Sequence, residues 1–147
     1  MNSDWFLKTF FDAFIATILM TLFSYIFSAI RKKQFKEPEL LNDLLRRINI
    51  ISAYSKNHPA GWVIHYVVGC IFVFAYYLLF QYSSINPTLW VYTGLGFVCG
   101  IVGIAGWKLT FAIHPNPPDI QFSEFYVHLL AAHIVFGIGA FLAYNLV

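Results

Sequence analysis

Four long apolar runs, separated by short polar connections, make up most of the 147-residue chain. The runs cover residues 5–30, 62–80, 88–107 and 125–147. At about 1.5 Å of rise per residue, each supplies the roughly 20 residues that a helix needs to cross the hydrocarbon core of a membrane. Because the connections are short, consecutive spans should be antiparallel neighbours. The pattern predicts an all-α membrane protein, one domain over residues 1–147 that folds as an antiparallel bundle of four transmembrane helices.

Composition supports lipid as the solvent of these runs. Hydrophobic residues make up 59% of the chain and charged residues only 11%, whereas a soluble domain has about 25% charged residues. The first run could instead be a secretory signal peptide, but only Lys8 precedes its apolar part and no clear small-residue cleavage site follows it. We therefore interpret it as a span. The two cysteines lie within apolar runs and predict neither disulfides nor a zinc site.

The basic residues are concentrated on the connections at one side of the predicted bundle. Most lie between the first two runs, and another closes the third: Arg31, Lys32, Lys33, Lys36, Arg46, Arg47, Lys56 and Lys108. Short loops rich in Lys and Arg remain in the cytoplasm. This predicts a multi-pass protein of the cell membrane, the bacterial inner membrane, with both termini outside. The basic cluster thereby has an explanation, so we predict the lipid bilayer as a partner and no nucleic acid.

The connection between the first two spans contains an amphipathic pattern, "FKEPELLNDLLRRINIISAY" (residues 35–54). Apolar positions recur at helical spacing, and polar positions such as Asn42 and Asn49 fill the opposite face. Pro38 suits a first helical position. The pattern predicts a helix over about residues 38–54 that lies on the cytoplasmic membrane surface. The alternatives are a docking helix for a soluble partner and a simple surface linker.

Glycines on the third span predict close helix packing. Gly96, Gly100 and Gly103 share one face, and small residues let helix backbones approach each other in lipid. We expect this span to be central, with the second and fourth spans approaching it near Gly69 and Gly137. The same glycine face could serve a contact within one chain or between the two copies of a homodimer.

Three histidines and a glutamate within or beside the spans are candidates for a polar intramembrane site. His65, His128 and Glu124 lie at similar depth on the cytoplasmic side and are expected to converge there, with His114 as a further candidate. His133 lies deeper and about 140° around the helix from His128, so it should point elsewhere. Ionisable groups at such depth are functional candidates by default. The alternative is that each imidazole bonds a carbonyl or hydroxyl and only pins helix packing.

Asp12 is the remaining ionisable residue of this candidate set. It lies in the outer part of the first span, and we expect Lys8, one helical turn away, to be its partner. The alternative is a site for a proton or another cation.

Two stretches resemble a known family. They are "GWVIHYVVG" (residues 61–69) and "HIVFGIGAFLAYNLV" (residues 133–147). With the proline-bearing connection before the last span, they resemble an uncharacterised family of small four-span bacterial inner-membrane proteins of unknown function. The matching positions are Gly61, Trp62, His65, Tyr66, Gly69, His133, Phe136, Gly137 and Gly139. The resemblance implies the same four-span topology and favours His65 and His133 as the informative pair, but it implies no activity.

No catalytic signature is present, so the functional hypotheses are mostly non-enzymatic. The first is an accessory or scaffold component of the membrane, within a larger complex. The second is a small-solute or proton-coupled transporter that acts as a dimer. The third is a protein that binds haem b or a metal ion through His65 and His128. A lipid-modifying enzyme that uses Glu124 and His128 as acid and base ranks lower, because no nucleophile accompanies them.

Overall fold

A computed structural model of the chain describes residues 3–51 and 58–146. Within those ranges all regular structure is helical, in the order α1 (Ser3–Arg31), α2 (Glu37–Arg47), α3 (Pro59–Tyr82), α4 (Leu89–Ile113) and α5 (Phe122–Tyr144). Helices α1, α3, α4 and α5 are each long and apolar enough to cross a membrane. The predicted fold class, an all-α bundle of four membrane helices with a short helix between the first two, is thereby confirmed.

The spans differ from the predicted runs mainly at their ends. Helix α4 continues six residues past the predicted end at 107, to Ile113, and stops where Pro115 disfavours a helical conformation for the preceding residue. Lys108 is accommodated within it because its ammonium lies 5.4 Å from the centre of the Tyr126 ring. Helix α5 begins three residues earlier than predicted and ends at Tyr144, and residue 147 lies outside the described part.

Long-range contacts fix which helix ends lie together. At one end, Lys8 Nζ donates to the carbonyl oxygen of Tyr144 at 2.9 Å. At the other, the Arg31 guanidinium pairs with the Glu124 carboxylate at 2.6 Å. We refer to the first as the terminal end and the second, which also holds α2, as the α2 end.

Helix α5 is the centre of the bundle. It packs along both α1 and α4, while α1 also packs on α3. The sequence pattern had instead favoured the third span, α4, as central. The reason for the difference is that α5 has small residues on two faces: Gly137 meets α4, and Gly139 meets Ala16 of α1. Two residues along a helix turn the direction by about 200°, so this pair offers opposite smooth faces.

The glycine face of α4 packs against α5 in the same chain. The Cα atoms of Gly96 and Gly137 lie so close that a Cβ built on Gly96 would be 3.1 Å from Gly137 Cα. Further along, Gly100 faces Leu130 and Gly103 faces the His133 ring. Gly69 of α3 does not approach α4 as expected, because it faces the Thr17 hydroxyl of α1.

Helix α2 is confirmed as a helix but ends at Arg47, seven residues before the predicted end. Asn49 adopts a left-handed conformation with φ 60°, and its N–H donates to the Arg46 carbonyl at 3.0 Å. The next N–H, of Ile50, donates to the Leu45 carbonyl at 3.0 Å. This pair of bonds is the Schellman motif that commonly ends helices. Residues 52–57, including Lys56 and the rest of the predicted helix, lie outside the described part.

The first turns of α2 lie inside the bundle and not on its surface. Asn42, which the pattern assigned to the polar outer face, is 0% exposed. Its amide nitrogen donates to the His58 carbonyl at 2.9 Å, and the Gly61 N–H donates to its amide oxygen at 2.8 Å. A Cβ on Gly61 would collide with the Pro38 carbonyl. Asn42 and Gly61 together hold α2 against the start of α3.

Replacing Gly137 by alanine should destabilise the bundle. The new methyl group would collide with the Tyr92 backbone oxygen, and overpacking of this kind costs about 1–3 kcal/mol. A Cβ on Gly94 meets nothing within 4 Å, so Gly94→Ala is the matched control. Thermal unfolding in detergent should show a lower melting temperature for Gly137→Ala alone. Equal melting temperatures for both variants would contradict the described α4–α5 contact.

Candidate functional site

The bundle-facing side of α1 is lined with hydroxyl groups. Thr17, Thr21, Ser24 and Ser28 are all buried, and their spacing of four, three and four residues places them on one helix face. We refer to these residues as the hydroxyl face of α1. Two of the hydroxyls donate to backbone within the helix, Thr17 to Ala13 and Thr21 to Thr17, each at 2.7 Å. The sequence analysis missed this face, although the helical spacing of Ser and Thr in the first span could have indicated it.

Glu37, the first residue of α2, reaches this hydroxyl face and is 2% exposed. The Ser24 hydroxyl donates to its Oε1 atom at 3.0 Å. The His128 Nε2 atom lies 3.0 Å from Ser24 Oγ and 3.6 Å from Glu37 Oε1. Since the serine proton is directed at the carboxylate, the network assigns a proton to His128 Nε2, which donates to the serine oxygen. Glu37 was not among the predicted site residues.

His65 approaches the same carboxylate from α3. Its Nε2 atom lies 2.9 Å from the Thr21 hydroxyl oxygen. Because that hydroxyl already donates to a backbone carbonyl, the imidazole N–H is the donor in this bond. His65 also interacts electrostatically with Glu37. We refer to Ser24, Glu37, His65 and His128 as the Glu37 cluster, which joins α1, α2, α3 and α5.

The charge state of Glu37 follows from opposing effects. Burial on its own would raise the pKa of this carboxyl group. The His128 ring nitrogen 3.6 Å from the carboxylate and the positive charge that His65 can carry outweigh burial, and the pKa of Glu37 lies below its ordinary value. The bundle therefore contains an anion at neutral pH. Its second oxygen, Oε2, is buried without a hydrogen-bond partner among the described residues.

A cavity of about 300 Å³ borders Glu37. Its polar lining comes from Glu37, His65, His133 and Thr110, and apolar and aromatic side chains such as Phe72 and Trp107 form the walls. Two half-exposed valines, Val68 of α3 and Val102 of α4, border the gap between those helices. The cavity therefore opens sideways, toward the surface that lipid covers.

Glycines of α4 contribute to this cavity. Near the terminal end α3 and α4 are in contact, where the Tyr76 hydroxyl donates to Cys99 Sγ at 3.2 Å. Toward the α2 end, α4 carries Gly103 and Gly106, and a Cβ on Gly106 would meet nothing within 4 Å. Small residues thus leave space in the half of the bundle that holds Glu37.

His133 lines this cavity and does not point away from His65 as the spacing suggested. Its Nδ1 atom lies 2.8 Å from the Leu129 carbonyl oxygen, and the other edge of the ring faces Gly103. His128 and His133 do lie on different faces of α5. Both nevertheless belong to one site. The Glu37 carboxylate lies 3.6 Å from the His128 ring, and Glu37 also borders the cavity that His133 lines.

Glu124 and His114 lie outside the cluster, contrary to the expected convergence. Glu124 forms ion pairs with Arg31 and Lys33 at the partly exposed α2 end. The His114 ring nitrogen Nε2 lies 3.1 Å from the Leu44 carbonyl oxygen. Both residues join helix ends and connections and do not border the cavity.

Asp12 lies at the terminal end, well away from the cavity. It is 1% exposed, and the Tyr77 hydroxyl donates to its Oδ2 atom at 2.5 Å. Lys8, the expected partner, acts on Asp12 through its charge and donates its hydrogen bond to the Tyr144 carbonyl. The difference arises because the buried phenol of Tyr77 comes from a neighbouring helix that the sequence spacing could not reveal.

The geometry gives little support to the metal and haem hypotheses. Within residues 3–51 and 58–146, no three His, Cys, Asp or Glu side chains are arranged so that they could hold a metal ion. His128 is packed among aromatic rings, with centroid distances of 4.8 Å to Phe27 and 4.9 Å to Phe35. The Nε2 atoms of His65 and His128 are each engaged by a hydroxyl group, so axial ligation would require both bonds to break.

The Ser24–His128–Glu37 arrangement differs from a hydrolase triad. In such a triad the carboxylate bonds the imidazole nitrogen that faces away from the serine. In this cluster Glu37 lies near the same nitrogen as the serine, and His128 Nδ1 is buried without a partner among the described residues. Ser24 is also fully buried, so its hydroxyl cannot meet a substrate.

The fold and site define an integral membrane protein with a buried, ionisable cluster beside a lateral cavity. A scan against protein-family models, a search of curated proteins and a search of solved structures each found no match to this chain.

The lowered pKa of Glu37 predicts a pH-dependent contribution to stability. Because the folded-state pKa lies below the unfolded value, Glu37 stabilises the fold above the ordinary glutamate pKa of about 4.3, and this contribution is lost as the pH falls through the folded-state value. The difference in melting temperature between wild type and Glu37→Gln should be largest above about pH 5 and should shrink below it. A difference that grows on acidification would contradict the assignment. The ion pairs of Asp43 occur in both proteins, so their pH dependence does not contribute to the difference in melting temperature.

Proposed function

We propose that this membrane protein is a proton-coupled carrier of small amphipathic organic cations. The observation that supports this proposal most is the position of Glu37, whose buried Oε2 atom has no partner among the described residues although the side chain borders a cavity. A buried charge costs several kcal/mol unless it is paired. Helix packing engages Oε1 and leaves Oε2 unpaired, whereas a cationic ligand would pair with that oxygen.

The lining of the cavity matches such a ligand in shape and chemistry. A volume of about 300 Å³ is at the lower end of the range for small-molecule sites. The aromatic rings of Phe72, Trp107 and Phe136 belong to the lining, and aromatic faces attract organic cations. A ligand with one positive charge and an apolar body would pair with Glu37 and cover these rings.

The imidazoles beside Glu37 provide the link to protons. Histidine is the side-chain type that most often changes charge near neutral pH, and His65, His128 and His133 all interact with Glu37 or with its cavity. A proton taken up by any of these imidazoles neutralises the single negative charge of the group. Because the proton and the cation then compete for the same charge, binding one favours release of the other.

The lateral opening gives an amphipathic solute a route from the membrane. The gap between α3 and α4 is bordered by half-exposed valines, so a solute that partitions into lipid can reach Glu37 without crossing the bundle ends. The sequence predicts that the basic connections face the cytoplasm. With that orientation the cavity lies in the cytoplasmic half of the membrane.

A second candidate is the accessory or scaffold role. It is favoured by the observation that His65 and His133 already have bonding partners within the protein, the Thr21 hydroxyl and the Leu129 carbonyl. In that case the histidines stabilise helix packing and no cation binds beside Glu37. Assembly with a second copy or a larger complex remains a prediction under either candidate.

Binding of a cationic probe tests the proposal. Purified protein in detergent should bind 1-methyl-4-phenylpyridinium, and affinity should fall on acidification, because protons compete with the cation for the negative charge of Glu37. Glu37→Gln removes the negative charge and should weaken binding about tenfold or more, because a hydrogen bond or ion pair to a charged group is worth about 1.5–3 kcal/mol.

Glu39→Gln is the matched control for this experiment. Glu39 is buried on the same helix, pairs with Lys36 at 3.2 Å and does not line the cavity. It should bind the probe like wild type and separate loss of the cation site from general damage to α2. Equal affinity in wild type and Glu37→Gln, or no binding to wild type at any pH, would contradict the carrier and leave the scaffold role.

A further inference from the structure

A second buried carboxyl group lies near the terminal end of the bundle and has no role in the cation site. Asp12 receives one hydrogen bond, from Tyr77 to Oδ2. Its other oxygen, Oδ1, is buried and has no partner within residues 3–51 and 58–146. Helix packing explains the bonded oxygen but not the second one. Ionisable side chains at such positions in membrane helices commonly belong to proton or ion pathways.

The groups around Asp12 identify the ion that fits. One titratable or charged side chain acts on this site from each spanning helix: Lys8 of α1, Tyr77 of α3, Tyr92 of α4 and Tyr144 of α5. The Lys8 ammonium lies 4.9 Å from the centre of the Tyr144 ring and adds positive charge to the site. That charge disfavours any bound cation, but a proton forms a covalent bond to a carboxylate oxygen and, unlike a metal cation, needs no shell of ligands.

Part of the hydroxyl face of α1 lies between Asp12 and the Glu37 cluster. Asp12 and Ser24 are separated by about 18 Å along the helix axis. Thr17 and Thr21 lie between them on the buried side, and Thr21 contacts the His65 imidazole. Hydroxyl groups both donate and accept hydrogen bonds. The buried side of α1 thus carries two hydroxyl groups between the two carboxyl groups.

We infer that Asp12 is a second proton-binding site, which exchanges protons with the solution at the terminal end and supplies them to the Glu37 cluster along the hydroxyl face of α1. A proton from water forms the O–H bond of the Asp12 carboxyl group. That bond breaks when the proton moves on. The Thr17 and Thr21 hydroxyls, which donate to the Ala13 and Thr17 carbonyls in this structure, turn from those carbonyls to pass it on, each accepting one proton and donating another. The Glu37 carboxylate accepts the last proton from the Ser24 hydroxyl, which already donates to its Oε1 atom, so charge is conserved. This inference rests on the proposed proton coupling.

Transport and binding measured on one variant separate the two roles. Asp12→Asn should bind 1-methyl-4-phenylpyridinium with the wild-type affinity, because the cavity is untouched. When Asp12→Asn is reconstituted in proteoliposomes, probe uptake driven by a pH gradient should fall about tenfold or more. The reason is that the amide cannot take up a proton near neutral pH. Asp119→Asn, the same substitution in the exposed connection before α5, is the control and should transport like wild type.

Each outcome decides between the alternatives. If Asp12→Asn transports the probe at the wild-type rate with the same pH dependence, Asp12 has a packing role only and the inference is wrong, while the carrier proposal stands. If uptake requires Na⁺ and not a pH gradient, the assignment of the proton is wrong. If wild type itself does not bind the probe, the proposed function is wrong and the inference, which rests on it, is wrong as well.

Tyr77→Phe keeps the inference testable if Asp12→Asn does not fold. This variant retains the carboxyl group and removes the hydroxyl that donates to Oδ2. Loss of a hydrogen bond to the charged form should move the pH midpoint of uptake upward, by about one unit. A pH profile identical to that of wild type would overturn the inference.

Discussion

The ionised carboxylate of Glu37, buried where helices meet, is the interaction on which this structure depends. An anion out of water must be surrounded by donors and positive charge. Its donors come from Ser24 of α1 and, at longer range, from imidazoles of α3 and α5. Placing one side chain from α2 therefore sets the relative positions of three membrane helices. The same requirement explains why α2 enters the bundle, although its sequence is that of a surface helix.

Glycine positions determine how the helices meet this requirement. Backbone contact at Gly96 and Gly137 lets α4 lie directly on α5, and Gly61 lets α2 approach the start of α3. Where α4 carries Gly103 and Gly106, the missing side chains leave space for a cavity. Close packing and open space thus come from the same residue type, and the difference lies in whether a neighbouring backbone fills the gap.

The sequence predicted the spans well because hydropathy and length decide them locally. The glycine face of α4 was also predicted from the sequence, since helical spacing places its glycines on one side of the helix. Glu37 was not predicted, because it lies in a connection by sequence and its partners at positions 24, 65 and 128 share no spacing with it. An amphipathic pattern likewise does not say whether its apolar face meets lipid or protein, so the depth of α2 and the burial of Asn42 required the fold.

The ionisation of Glu37 within the folded bundle is the central claim, and infrared difference spectroscopy between wild type and Glu37→Gln measures it directly. At neutral pH the difference spectrum should contain the stretching bands of one carboxylate and no protonated carboxyl band. Addition of a cationic probe should shift those carboxylate bands, because the second oxygen then gains a partner. A protonated carboxyl band at neutral pH, or carboxylate bands that ignore the probe, would contradict the account.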